Sequence, residues 1–303
     1  MLPPPGTRLG DPALTETSGL TASPSGQGVF WAINDGGHAP RLHALDATGQ
    51  SLGRIDIAAV NRDWEALDGG IIDGVATLII GETGDNRRRH ARSALLLVDE
   101  PVPTSTPDGV APREALPVRR IAYRYSDGAR DVEAMGLSEG VVWLLDKPPL
   151  QADGSRRASG VYRLALGTPR GADPEPGDGP SDGPSDGPGE GRVAVAERVG
   201  EFLAPSGGLL ARLAATVAGV DLGYPTGLAL DASRGHAWVL TYRDVLRYDR
   251  RGAESWADTL ARAPSRSVPH GLAQAEALAL DASGAVVFSS EGRSAPLVAL
   301  PAD

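Results

Sequence analysis

The 303-residue chain contains no cysteine. That excludes disulfides, thiolate nucleophiles and zinc sites of the Cys type. Positive charge is scarce: 29 basic residues stand against 39 acidic ones, a net charge of −10, and Lys147 is the sole lysine. Phosphate neutralisation requires basic patches, so a general nucleic-acid binder is excluded. No apolar run approaches the ~20 residues of a membrane helix. The opening Met-Leu-Pro-Pro-Pro-Gly lacks a basic segment followed by an apolar one. No signal peptide is therefore expected, which places the chain as written in the cytoplasm, or outside the cell if it is a mature form. The string Gly-x-Ser-x-Gly occurs at Gly49–Gly53, Gly136–Gly140 and twice within 179–187, in each case without a helical pattern after it, so no nucleophile elbow is expected, and a phosphate-binding glycine loop is missing. The five histidines (His38, His43, His90, His236, His270) show no metal-ligand spacing. Asparagine survives at only three positions, Asn34, Asn61 and Asn86, each beside acidic residues.

What is present suits an all-β protein. The chain is 41% hydrophobic, enough for a core, and its 39 glycines and 25 prolines suggest short strands joined by tight turns. Residues 169–191 repeat Gly-Pro-Ser-Asp with no apolar side chain larger than alanine, and read as a disordered loop inserted in a single domain spanning 1–303. Helical patterning is weak, with Gly208–Ala218 its best candidate.

Internal repetition decides the architecture. Thr226-Gly-Leu-Ala-Leu-Asp-Ala-Ser and Glu276-Ala-Leu-Ala-Leu-Asp-Ala-Ser share six of eight positions. Each leads into an apolar strand and then a third strand. The same unit starts at Ser18-Gly-Leu, Glu65-Ala-Leu and Glu133-Ala-Met. Fourth strands are expected at Arg54–Val60, Pro117–Tyr125, Arg192–Phe202 and Glu254–Arg262. Five such units predict a five-bladed β-propeller of about four antiparallel strands per blade. The last unit runs out of chain, so the segment before Ser18 is expected to close the ring.

The repeat also predicts a site. If the first strand of every unit lines a central channel, its first residues meet at one mouth, where the second strand also ends. The inner ring is then Ser18, Glu65, Glu133, Thr226 and Glu276. The outer ring holds Asp35, Glu82, Asp146, Tyr242, Arg243 and Glu291, with Asp85 and Asn86 just beyond. Three converging glutamates repel one another unless a cation lies between them, and a shell of hard oxygens suits Ca²⁺. The alternative is that these residues cap strands or pair with Arg62 and Arg130. Asp35, Glu82 and Asp85 are the candidate catalytic acids. Arg62, Asp146, Lys147, Arg243 and Glu291 are candidate ligand-binding groups for a small anionic molecule or a protein. His38 and Arg87–His90 read as loop residues, and Trp31, Trp143 and Trp238 as packing residues.

Asn61-Arg-Asp-Trp-Glu65, Gly81-Glu-Thr-Gly-Asp-Asn86 and Asp127-Gly-Ala-Arg-Asp-Val-Glu133 resemble a family of mostly uncharacterised bacterial β-propellers. The inner-ring order Ser, Glu, Glu, Thr, Glu is similar to that of the five-bladed calcium-activated apyrases, and the SdiA-regulated propellers have related signatures. The resemblance implies calcium ligands at Ser18, Glu65, Glu133, Thr226 and Glu276. The apyrases carry Asp-Asp-Arg where this chain has Asn34-Asp35-Gly36, without the arginine. Two function classes follow: a calcium-dependent phosphoester or nucleotide hydrolase, and a non-catalytic binding propeller with a structural calcium. A monomer is expected.

Overall fold

The computed structural model describes residues 3–103, 114–151, 157–167, 193–205 and 222–301. The insertion at 169–191 and the helical candidate at 208–218 lie outside the described residues. The architecture is all-β and propeller-like, built from successive antiparallel meanders. The first comprises β1 (Thr17–Ala22), β2 (Phe30–Asn34), β3 (Arg41–Leu45) and β4 (Ser51–Asp56). The second comprises β5 (Trp64–Ile72), β6 (Val75–Glu82), β7 (Ser93–Asp99) and β8 (Arg119–Tyr125). The third comprises β9 (Val132–Ser138), β10 (Val141–Asp146), β11 (Ser159–Ala165) and β12 (Ala194–Phe202). Next come β13 (Pro225–Asp231), β14 (His236–Thr241), β15 (Asp244–Asp249) and β16 (Arg266–Pro269). The last three strands are β17 (Ala275–Leu280), β18 (Val286–Ser290) and β19 (Leu297–Leu300). The second and third meanders merge into one eight-stranded sheet, because β8 and β12 pair in parallel over Ala194–Ala196.

The first strands of the meanders neighbour one another in sequence order, and β17 returns to β1. Two features of the repeat make this close approach possible. The second residue of each unit is small: Gly19, Ala66, Ala134, Gly227 and Ala277. The third is a large apolar residue, Leu20, Leu67, Met135, Leu228 or Leu278, and all five are buried. A Cβ on Gly19 would lie 2.7 Å from that of Leu67, and one on Gly227 2.8 Å from that of Leu278. Hydroxyls stitch the same seams. Ser18 Oγ donates to Trp64 O at 2.8 Å, Thr83 Oγ1 to Val132 O at 2.7 Å and Thr226 Oγ1 to Ala275 O at 2.6 Å. Trp31, Trp143 and Trp238 are buried on second strands as packing residues.

The N-terminal segment joins the last meander to the first. Residues 7–9 pair with β19 through Leu9 N–H to Ala295 O at 2.9 Å and Leu297 N–H to Thr7 O at 3.0 Å. Asp11, fully buried, then accepts hydrogen bonds from Arg54 and His43 on the first meander.

One expected strand is a helix. Glu254–Arg262 forms α1 (Trp256–Leu260), and the fourth strand of that meander is β16, further along. Ser255 caps the helix by accepting from Asp258 N–H, and its hydroxyl also donates to the Asp258 carboxylate at 2.7 Å. Trp256 and Leu260, one turn apart, bury the same face, and Trp256 Nε1 donates to Ser138 Oγ at 3.0 Å. Among the described residues no helix is long and apolar enough to cross a membrane.

Candidate metal centre and polar mouth

Each of the five repeat-leading residues sits where its strand pairing slips by one. The register jumps from Thr17 to Gly19, Trp64 to Ala66, Val132 to Ala134, Pro225 to Gly227 and Ala275 to Ala277. Ser18, Glu65, Glu133, Thr226 and Glu276 are thus five β-bulges at equivalent positions of neighbouring first strands. A bulge leaves its extra residue unpaired and re-aims its side chain.

Three acids meet at the seam of the first two meanders. Carboxylate oxygens of Asp35, Asp63 and Glu65 lie within 4.8 Å of one another. Asp35 follows β2, and Asp63 and Glu65 flank the first residue of β5. Asn61 sets this geometry. Its amide donates to Asn34 O at 3.2 Å and Asp35 O at 2.8 Å, while its Oδ1 accepts from Trp64 N–H at 3.1 Å. Asn34 in turn donates to Ala13 O and accepts from the backbone of Thr15 and Glu16. Two glycines make room for Asp63. A Cβ on Gly84 would lie 2.5 Å from its carboxylate, and one on Gly36 would lie 2.7 Å from it. Neither glycine has a positive φ, so space, not backbone conformation, accounts for them.

The electrostatics of the trio are those of crowded acids. Burial, then the charges of Glu133, Asp35, Glu276 and Asp63, push the Glu65 pKa well above the usual carboxylate range. Burial and the neighbouring Asp35 and Asp131 charges raise Asp63 to about 6. Burial likewise raises Asp35, against hydrogen bonds from Gly36 N–H and from Glu65. Crowding and burial thus favour the protonated form of both Glu65 and Asp35 when no cation is bound. Among the described residues none of the three forms an ion pair. Their donor chemistry fits a hard divalent cation: three carboxylates on firm backbone, with open coordination left for water.

The rest of the mouth is wired differently. Lys147 Nζ bonds Glu133 directly, and Tyr242 OH lies 3.3 Å from Lys147 Nζ, 3.2 Å from Glu133 and 3.0 Å from Glu276. Burial opposes the Lys147 charge, but Glu133, Asp131 and Glu276 outweigh it and raise its pKa. Burial and the Glu133 and Glu291 charges push Glu276 up to about 9, and it hydrogen-bonds Glu291. Burial likewise raises Glu291.

The remaining candidates have other partners. Glu82 accepts from Arg120 at 2.8 Å and lies 3.8 Å from Arg62, whose side chain is 64% exposed. Asp85 accepts from His90 N–H at 2.8 Å and organises the loop after β6. Asp146, raised to about 6 by burial, accepts from Gly160 N–H at 2.6 Å and faces Arg130. Arg243 pairs with Asp244 at 2.5 Å and donates to Pro205 O. Ser18 and Thr226 commit their protons to neighbouring strands, as described above. His38 bonds Thr15, and within Arg87–His90 the Arg88 guanidinium holds Lys147 O. Asn86 is exposed. Asp63, and the raised carboxyls of the group it joins, are the features sequence reasoning missed. The Asp-Trp-Glu spacing was the available signal, since a strand that starts with a bulge puts both flanking acids near one mouth.

No family model and no curated protein matches the chain. Solved structures do show overall similarity. A glucose dehydrogenase is 13% identical with a TM-score of 0.47, covering 98% of this chain and 99% of that one. The major allergen Mala s 1 of Malassezia sympodialis is 9% identical with a TM-score of 0.48, covering 98% and 81%. A streptogramin B lyase is 11% identical with a TM-score of 0.41, covering 96% of each chain. At these scores the likenesses carry no inference about activity.

Proposed function

We propose that the chain is a five-bladed β-propeller, closed by residues 7–9, that binds a divalent cation at its acidic mouth and presents there a site for a small anionic ligand. Calcium is the ion that the oxygen-only donor set favours. The observation that carries this reading is the Asp35, Asp63 and Glu65 group, three carboxylates within 4.8 Å and without an ion-pair partner among the described residues. Glu133 has Lys147 for its charge; the trio has no equivalent.

When bound, calcium would supply charge neutralisation and a Lewis-acid contact for an anion. The chain's own groups supply the rest. Arg62, exposed at the rim, and Lys147 offer positive charge to a phosphate or carboxylate. Burial and neighbouring acids favour the protonated form of Glu65 at the site. These are the parts of a phosphoester or nucleotide hydrolase. The engagement of Glu82 with Arg120, and of Asp85 with its own loop, favours the second reading, a binding propeller without turnover.

Metal analysis of protein purified without chelator tests the ion. Stoichiometric calcium, and a melting temperature that falls with chelator and recovers with calcium, is the expected result. Absence of both removes the proposal. Calcium-dependent phosphate release from nucleotides and aryl phosphates, abolished by Asp35→Ala, separates the hydrolase from the binding protein.

A further inference from the structure

The inner strands leave the acidic mouth and end at the opposite side of the channel, around a cavity of about 600 Å³. That volume is in the range of sites for small organic molecules. Its chemistry is unlike that of the first mouth. Three residues beyond each bulge the chain carries Thr21, Asp68, Gly136, Ala229 and Ala279, so Asp68 is the sole acid at that level of the repeat. Alanines and the leucines Leu137 and Leu280 form much of the surrounding wall.

Asp68 is held firmly. Its Oδ2 accepts from Leu137 N–H at 2.6 Å, and its Oδ1 from Gly69 N–H at 2.7 Å and Thr21 Oγ1 at 3.3 Å. A carboxylate has about four acceptor positions, so one remains for an occupant. Among the described residues no arginine, lysine or histidine pairs with it. Burial raises its pKa to about 6 against those three hydrogen bonds, the mark of a charge that lacks a counter-ion.

We propose that this far end of the channel binds a small organic cation, its ammonium group on Asp68 and its apolar body against the inner-strand ends. Asp281 also lines the cavity, but its Oδ1 accepts from Ser283 N–H, Ser283 Oγ and Ala285 N–H of its own turn, and the few other oxygen side chains in the wall disfavour a metal ion. An anion meets the wrong charge, and a neutral molecule forfeits the charged hydrogen bond. The inference is independent of the calcium reading, which concerns the other mouth.

The test uses n-hexylamine, 1-hexanol and hexanoate in isothermal titration against the full chain, with chelator present. Hexylamine is expected to bind saturably, about tenfold or more tighter than hexanol, with hexanoate weaker than both. Asp68→Asn should bring hexylamine and hexanol to within about twofold of each other. Should that variant fail to fold, Ala282→Trp crowds the cavity rim from an exposed position and should weaken amine and alcohol alike. The double substitution D63N and E65Q, at the other mouth, should leave hexylamine binding in place. Equal binding of amine and alcohol by the unmodified protein overturns the proposal. So does amine binding that survives both far-end variants, or that is lost with the acidic-mouth pair instead.

Discussion

Calcium and protons compete for the same oxygens, and this competition makes the most demanding test of the metal centre. In the ion-free protein burial and mutual repulsion raise Glu65 and Asp35 and lift Asp63 to about 6. A cation held by all three must displace a proton wherever one of these carboxyls is still protonated. Apparent calcium affinity then rises about tenfold per pH unit while that proton is still bound. The ion-free protein behaves in the opposite sense. Its mouth acids have folded pKa values above their unfolded ones, so their contribution is complete below about pH 4 and is lost as pH rises through 6 and, for Glu276, about 9. Chelated protein should therefore melt progressively lower between about pH 5 and 9, and calcium should restore most where the loss is greatest. At a free concentration 100 times its Kd, an ion stabilises the native state by about 2.7 kcal/mol. At about 2 °C per kcal/mol for a large domain, that is a rise of about 5 °C. Differential scanning fluorimetry across that pH range, with chelator and with millimolar calcium, reads both trends. A calcium shift of the same size at low and high pH would refute the proton competition, and no shift at any pH would refute the site.

Other consequences follow from the same contacts. Gly84→Ala presses a methyl group on the Asp63 and Glu65 carboxylates, so it should abolish the calcium shift while the ion-free melting temperature changes little, whereas Gly36→Ala also meets the Arg62 carbonyl at 2.9 Å and should lower the ion-free melting temperature as well. Asp11→Ala removes the partner of two basic groups at full burial and should cost about 3–5 kcal/mol in chemical denaturation. The Asp11 pKa is held far below its ordinary value by His43 and Arg54 in spite of burial, so this contribution is kept above about pH 4 and lost only in stronger acid. Lys147→Met leaves Glu133 buried without its cation. Either stability falls most at high pH, or a second calcium is taken up, and equilibrium dialysis counts the ions.

The sequence disclosed the repeat because each unit needs the same three things in order: a bulged residue, a small one and a large one. Five copies of that triplet were legible as strings, although nothing in a string says that the leading residue is a bulge. The N-terminal pairing was legible from arithmetic alone, since the last unit lacked a strand and the first segment had no unit of its own. The site was legible only in part. Register placed Glu65, Glu133 and Glu276 on one ring, but neighbouring residues divided their chemistry. Lys147 and Tyr242 took Glu133 and Glu276 into a hydrogen-bonded network, whereas Asp63 and Asp35 turned Glu65 into a separate centre. Asp63 escaped notice because its position depends on two glycines, Gly36 and Gly84, more than twenty residues away on either side. The helix at Trp256–Leu260 was missed for a local reason: a five-residue helix shows too little periodicity to outweigh the expectation of a fourth strand.

The two ends of the first strands differ because the repeat uses two positions, three residues apart, for different chemistry. At the bulge the leading residues are buried yet polar: Ser18 and Thr226 carry hydroxyls that bond the next strand, and the three glutamates carry carboxyls that meet other polar groups. Three residues deeper, about 10 Å along a strand, the same level of the repeat carries Thr21, Asp68, Gly136, Ala229 and Ala279. Asp68 accepts from Leu137 N–H, Gly69 N–H and Thr21 Oγ1, bonds that an asparagine could meet with one oxygen only. A charge kept there without a cation partner among the described residues, against its desolvation cost, is what a cationic ligand would complete. Chemical denaturation of the ligand-free chain compares the two charges: Asp68→Asn, which sets an amide NH2 against one of those backbone N–H groups, should cost about 1–3 kcal/mol, and Glu133→Gln, which strands Lys147, about 3–5 kcal/mol. An Asp68→Asn chain as stable as the unmodified one would refute that accounting of the Asp68 hydrogen bonds.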